Sequence, residues 1–365
     1  MHIRFLPSIP VVSPIDSIPR SAKVAFINGD CRLTHERLAL AVDRLAAGMI
    51  DFGVQPGDRV CLHLRNGAEI AIPYYACFRL GAIAMPTNLR FTPVELESLL
   101  RRVRPALYLG HAEFYGGIAG VDPSVLAGNA RFVVGNTDDI RARSWTDLLG
   151  DPAHAPSAGC VDLHAPAVLL TTSGTTGQPK IVAHSLDTLT HITARFAHLG
   201  FASGRVLAFI MPMTHVSGLS MFFAAMRLGV TVVFVDGASP DALLETIEGH
   251  RCAIFGGAAT TIAQVIDSQR RQPRDVASPW MCLTSTDVCP PGQQEAFRPV
   301  FGLPLRSFWA STEAVAPLTY GLQTGVVSRL MPDIEMRLVG TDGMPAPTGQ
   351  TGEMLLRGPN VMLGY

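Results

Sequence analysis

The sequence predicts an α/β fold: two layered α/β subdomains followed by a small β subdomain. Three observations predict it. Strand-like and helix-like stretches alternate in two separate regions, the pattern of largely parallel sheets with helices between their strands. The last part of the chain changes to the two-residue alternation of a hairpin. Hydrophobic residues make up 48% of the 365 positions and charged residues only 16%, so most segments have a core to enter.

The elements follow in order. Leu38, Val42, Leu45, Met49 and Phe52 recur at helical spacing between Thr34 and Phe52, and Gly53 supplies a stop. Val60, Leu62 and Leu64 alternate as a strand. Ile70 to Leu80 reads as a buried helix and Ala82 to Met85 as a short buried strand. Thr92-Pro-Val-Glu95 has the form of a capping box with proline at the first helical position, so a helix starts there. Ala106 to Leu109 is the next strand. The second region repeats the order: strand Val206 to Ile210, helix Ser217 to Leu228, strand Thr231 to Val235, a helix after Ser239-Pro240, and strand Cys252 to Phe255. At the end, Ile334, Met336 and Leu338 alternate with charged residues, a Gly-Thr-Asp-Gly turn follows, and Glu353 to Arg357 returns. The expected subdomains are 20–160, 161–325 and 326–365.

A net charge of −1 offers no basic surplus for nucleic acid or anionic lipid. Seven cysteines without a C-x-x-C pair read as reduced thiols in a cytoplasmic protein, and none has metal-ligand spacing. The most apolar region, Val206 to Val235, is interrupted by Pro212, His215 and Arg227, so no membrane span is expected.

The richest chemistry lies in Thr171-Thr-Ser-Gly-Thr-Thr-Gly-Gln-Pro-Lys180, directly after the apolar stretch Ala167 to Leu170. Glycines let backbone N–H groups approach an anion, hydroxyls add donors, and lysine adds charge: a polyphosphate loop. It is not the common G-x-x-x-x-G-K-[ST] loop, because Gln178 and Pro179 precede the lysine and Ile181 follows it. Pro179 lacks a donor and fixes its φ, so Lys180 is not expected to sit at a helix start in the usual way. The run resembles the phosphate loop of the adenylate-forming superfamily, which includes acyl- and aryl-CoA ligases, luciferases and peptide-synthetase adenylation domains. The resemblance implies that Thr172, Ser173, Gly174, Thr175, Thr176, Gly177 and Lys180 bind the phosphates of ATP.

Two more segments resemble that family. Phe308-Trp-Ala-Ser-Thr-Glu313 matches its aromatic–small–x–Thr–Glu motif. By that likeness Trp309 stacks on adenine beside Ala310 and Ser311, Thr312 bonds the α-phosphate, and Glu313 ligates Mg²⁺. Met211-Pro-Met-Thr-His-Val-Ser-Gly-Leu219 resembles the segment whose histidine lines the acyl pocket, which assigns His215 and Gly218 to the substrate. Thr312, Glu313 and His215 are therefore the expected catalytic set. Gly256, Gly257, Ser285, Thr286 and Asp287 stand where the family lines its acyl and adenine pocket, and they depart from its usual glycine-rich pattern. Leu33 to Leu38, Arg79 to Pro86 and Gly349 to Tyr365 resemble further family motifs, in family order.

The resemblance implies the large N-terminal domain of an AMP-forming acid–thiol ligase, with the nucleotide site in the second subdomain and a β-barrel-like form for the small β subdomain. A fatty or aromatic carboxylic acid would become acyl-AMP, with release of pyrophosphate, and pass to CoA. One alternative acceptor is the phosphopantetheine of an acyl carrier protein. In the family a C-terminal lid domain follows. It is absent from this sequence, which ends on the family's closing motif, so truncation is expected. A lidless, non-catalytic nucleotide- or acyl-binding protein is a third reading. A P-loop kinase ranks last, because Lys180-Ile181 lacks its hydroxyl.

Overall fold

The capping box at Thr92 forms as its residue types dictate. The Thr92 hydroxyl accepts from the Glu95 N–H, and the Glu95 carboxylate accepts from the Thr92 N–H at 2.8 Å. The computed structural model describes residues 18, 21–157, 161–172, 179–237, 239–285, 289–314, 319–321, 329–330 and 333–365.

The described residues open with a hairpin, β1 (Val24–Asn28) and β2 (Cys31–Thr34), and then α1 (His35–Phe52). It continues through β3 (Arg59–His63), α2 (Ala68–Leu80), β4 (Ile83–Pro86), α3 (Pro93–Val103), β5 (Leu107–His111), β6 (Arg131–Val134) and β7 (Arg143–Ser144). Next come β8 (Pro166–Thr172), β9 (Lys180–Ser185), α4 (Leu186–His198), β10 (Val206–Phe209), α5 (Val216–Arg227), β11 (Thr231–Phe234) and α6 (Pro240–His250). The remainder is β12 (Ile254–Ala258), α7 (Ala259–Arg271), β13 (Met281–Ser285), α8 (Pro291–Phe301), β14 (Leu305–Trp309), β15 (Thr319–Gly321), β16 (Arg329–Leu330), β17 (Glu335–Val339) and β18 (Glu353–Arg357).

Two large sheets result, parallel except for β8–β9 in the first and for β1–β2, β14–β15 and β15–β16 in the second. The seven-stranded sheet runs β7-β6-β5-β3-β4-β8-β9, and the nine-stranded one β16-β15-β14-β13-β12-β10-β11-β1-β2. β17 and β18 pair with each other, Met336 opposite Leu356. The expected division at residue 160 does not separate the sheets. β8 and β9, which follow it, complete the first sheet, whereas β1, from the start of the chain, pairs in parallel with β11. Local patterning marks a strand but not its partner, and these pairings are remote in sequence.

Helices fill the space between the sheets. α5 is buried from Val216 through Met226 except for the partly buried Ser217, as expected of a helix apolar on all sides. Its Phe223 ring packs against Tyr74, Tyr75 and Phe78 of α2, with centroids 5.2–5.5 Å apart. The far face of the nine-stranded sheet has its own core, in which Phe255 meets Phe297 and Phe301 of α8. No described helix is long and apolar enough to cross a membrane.

Candidate functional site

β10, β12, β13 and β14 lie side by side and parallel, so their C-terminal ends share one edge of the sheet. That edge of an open α/β sheet is where ligands bind. Trp309 ends β14, Ser285 ends β13, Gly256 and Gly257 lie late in β12, and His215 follows β10. At about 4.8 Å per strand, the row from β14 to β10 spans about 14 Å. The expected Thr286 and Asp287 lie outside the described residues.

The two expected pocket glycines face opposite ways, as alternation along a strand requires. A Cβ on Gly256 would point towards α5, 3.5 Å from Met221 Cε, whereas one on Gly257 would meet Thr261 of α7 at 3.2 Å. Gly256 thus shares the face of α5, and Gly257 serves the packing of α7.

At the β14 end, Thr172 and Lys180 are paired residues of β8 and β9. Lys180 opens a strand rather than a helix, in keeping with Pro179 before it. Ser173, Gly174, Thr175, Thr176 and Gly177, which join this pair, lie outside the described residues. Arg102 Nη1 donates to the Pro179 carbonyl at 2.7 Å, and Lys180 Nζ lies 4.5 Å from the centre of the Tyr365 ring. The free edge of β9 takes up residues 363–364: the Ala183 N–H donates to the Gly364 carbonyl and the Leu363 N–H to the Ala183 carbonyl. The Met362 N–H donates in turn to the Glu313 carbonyl at 2.8 Å. His184 Nε2 donates to the Thr312 carbonyl at 2.8 Å, and Tyr365 Oη to Glu313 Oε1 at 3.2 Å. Lys180 and the Thr312–Glu313 pair, far apart in sequence, are thereby gathered at one place. The Ser311 hydroxyl accepts from the Ala314 N–H at 3.1 Å, which turns the chain after Ala310. Trp309 keeps 43% of its surface exposed, free for a stacking partner.

His184 is fully buried, and burial holds its pKa below the ordinary value, against the pull of the Thr312 carbonyl and the Glu313 charge. A neutral ring with its proton on Nε2 is the form that bonds Thr312. No described group of three or more His, Cys, Asp or Glu side chains converges. Phosphate and water oxygens supply most of the ligands in the mode Mg²⁺ takes with nucleotides, and Glu313 offers one carboxylate to such a site.

At the β10 end, His215 caps α5 with its own ring: Nδ1 accepts from the Ser217 N–H at 3.3 Å and lies 2.8 Å from the Ser217 hydroxyl. The ring reaches solvent, but the surrounding protein strips enough water to lower its pKa. Gly218 is required here, because a Cβ would overlap the Pro212 carbonyl oxygen. The Met211–Met213 loop is held by Asn66 and Tyr74.

A model of the AMP-binding enzyme family matches residues 19–365. The chain belongs to that family. It is 30% identical to the indoleacetate–CoA ligase of Aromatoleum aromaticum, over 95% of this chain and 69% of the relative. It is 28% identical to the salicyl-AMP ligase/salicyl-S-ArCP synthetase of Mycobacterium tuberculosis, over 91% and 61%. The chain thus spans about two thirds of the length of these relatives. Among solved structures, an anthranilate CoA ligase in complex with anthranoyl-AMP superposes with a TM-score of 0.87 at 23% identity, over 97% of this chain and 71% of that one. A long-chain-fatty-acid-CoA ligase from Archaeoglobus fulgidus gives 0.84 at 21%, over 98% and 76%. These two speak to the fold alone. The family and its named relatives make this an AMP-forming acid–thiol ligase domain that activates acids by adenylation.

His184, Asn66 and Tyr74 were not singled out from sequence. Period-two alternation from Lys180 could have placed His184 on the lysine's face of β9. Asn66 carries no local signal, since its partners lie about 150 residues on.

Proposed function

We propose that this chain binds ATP towards β14 and a carboxylic acid, aromatic or fatty, towards β10, and that the acyl group passes to the thiol of CoA. The single observation that carries this reading is the common sheet edge, with Trp309 at the end of one strand, His215 after another, and Gly256 between. Thr172, Lys180 and the intervening loop hold the β- and γ-phosphates. Trp309 stacks on adenine, and Thr312 donates to the α-phosphate. Glu313 holds Mg²⁺, which when bound offsets phosphate charge. An oxygen of the substrate carboxylate attacks the α-phosphorus, the bond to the pyrophosphate oxygen breaks, and acyl-AMP forms. A thiolate then attacks the acyl carbon and AMP leaves. His215 walls the acyl pocket and moves no proton, because the carboxylate attacks as an anion. A reducing, cytoplasmic setting suits the six described cysteines, all free thiols.

An aromatic acid is the better supported substrate, since the two relatives cited by sequence are named for indoleacetate and salicylate. The second relative's name also supports a carrier-protein phosphopantetheine as the alternative acceptor.

Calorimetric titration tests the reading, first with ATP·Mg²⁺ and then with sulfamoyl-adenosine analogues of indoleacetate, salicylate and dodecanoate. Binding of ATP and of one aryl analogue is expected. Preference for the dodecanoyl analogue would replace the aromatic assignment, and failure of both ATP and all analogues would overturn the adenylate site.

A further inference from the structure

Three side-chain hydrogen bonds cross from the β3–α2 loop and α2 to the loop that carries His215. Asn66 Nδ2 donates to the Met211 carbonyl at 2.8 Å, and Asn66 Oδ1 accepts from the Met213 N–H at 2.8 Å. Tyr74 Oη donates to the Met213 carbonyl at 2.7 Å. The Asn66 amide thus acts as a substitute peptide, pairing with both sides of Pro212. Proline itself brings no N–H to this loop, so the flanking groups must carry its bonding. Tyr74 and Met213 are fully buried, where a lost partner leaves a polar group without water.

The clamp has a firm base and a direct load. Asn66 follows Arg65, whose guanidinium makes a two-point contact with Glu113 at 2.6 and 2.8 Å and whose N–H donates to His111 Nδ1. On the other side, the His215 N–H donates to the Pro212 carbonyl at 3.1 Å, and that carbonyl rests on Gly218 at the start of α5. A shift of Pro212 therefore moves both the His215 backbone and the first turn of α5.

We propose that Asn66, assisted by Tyr74, is a positioning residue for the acyl end of the site, fixing the Pro212–His215 segment from the β3–α2 loop and α2. This rests on the reading of His215 as a wall of the acyl pocket. Asn66 touches neither reactant; it sets where His215 stands.

The test uses Asn66→Ala and Tyr74→Phe in the full chain, with two readouts. The imidazole NMR signals of His215, identified by their loss in His215→Ala, are expected to move in both variants. Salicyl-sulfamoyl-adenosine is expected to bind about tenfold more weakly to Asn66→Ala, with ATP·Mg²⁺ affinity kept within about twofold, because the nucleotide end lies on other strands. Unmoved His215 signals in both variants, or equal weakening of the two ligands, would overturn the proposal. Should Asn66→Ala fail to fold, Tyr74→Phe decides by the same readouts. If the unmodified chain does not bind the analogue, the function proposed above fails, and the His215 signals still decide the positioning role.

Discussion

The proposed nucleotide end and the proposed acyl end of the site are assembled from different mixtures of bonds. At the proposed nucleotide end, backbone groups tie β9 to residues 363–364 and residue 362 to Glu313, and side-chain bonds from His184 to Thr312, Tyr365 to Glu313 and Arg102 to Pro179 are added to that ladder. At the acyl end, Asn66 and Tyr74 hold the loop by their side chains. A backbone ladder forms whatever side chains it carries, so the nucleotide end can keep its geometry while its surface changes. The proposed acyl end depends on particular side chains, and one substitution there can re-aim the His215 loop. This division suits a scaffold that holds ATP in one way and presents different acids to it.

The largest effect expected is at Glu313. Loss of a metal-held charge contact costs several kcal/mol, about a hundredfold or more in turnover. Glu313→Ala should abolish Mg²⁺-dependent ATP binding while leaving salicyl-sulfamoyl-adenosine, which lacks the β- and γ-phosphates, less affected. Calorimetry with and without Mg²⁺ checks this; unchanged ATP binding would remove Glu313 from the site.

The next sets a sheet core apart from the site edge. His63, at the end of β3, is buried, shares a hydrogen bond between Nδ1 and Tyr108 Oη at 3.0 Å, and has no described partner for Nε2. Burial, with help from His111, pushes its pKa down from 6.5 to about 4. Between those values the unfolded chain binds a proton that the folded chain refuses, so stability falls as pH drops from about 6.5 to about 4 and the loss levels off below. The contribution is about 3 kcal/mol. Urea melts of the parent and of His63→Gln at pH 7 and pH 4.5 should show a smaller acid loss in the variant. Equal losses would mean that other groups drive it.

Two glycines give a paired test of about 1–3 kcal/mol each. Alanine at Gly48 would overlap the Leu148 carbonyl oxygen, and alanine at Gly218 the Pro212 carbonyl oxygen. Both variants should melt earlier, but only Gly218→Ala should weaken an acyl-adenylate analogue. A similar loss of analogue binding in Gly48→Ala would mean that general loosening, not loop position, sets acyl affinity.

These same places show how far the sequence could be read. The Thr92 cap, the α1 stripe and the strand at Val60 follow from residue types within a few positions, and local physics decides them. The phosphate-loop, Trp309–Glu313 and His215 segments stand out as candidates because they set glycine, hydroxyl and charged residues in apolar surroundings. What stayed hidden depends on remote partners. Phe26 pairs with Val232, Asn66 bonds Met211, and His184 bonds Thr312, none within 100 residues of its partner. The opposite facing of Gly256 and Gly257 needed the strand's phase against α5 and α7, which composition does not supply.

Trp309 offers a smaller effect on binding and almost none on stability, since its ring is half exposed at a strand end. Trp309→Ala should weaken ATP by about 1–3 kcal/mol, by analogy with base–aromatic stacking, and Trp309→Phe should restore most of it. Unchanged affinity in Trp309→Ala would move adenine elsewhere on the edge.

The finest cut separates the two parts of Tyr365. Its hydroxyl donates to Glu313 Oε1 and its ring lies under Lys180 Nζ. An exposed hydrogen bond of this kind is worth about 0.5 kcal/mol at the low end of the usual range, and an exposed cation–π contact about 0.5–1 kcal/mol. Tyr365→Phe keeps the ring and should weaken ATP·Mg²⁺ by about twofold. Tyr365→Leu loses both contacts and should cost a few-fold more, with the added loss reduced by salt because Lys180 carries the charge. If Tyr365→Phe were as damaging as Glu313→Ala, the hydroxyl would be the main support of the Glu313 carboxylate. The nucleotide end would then rest on a side-chain clamp as the acyl end does.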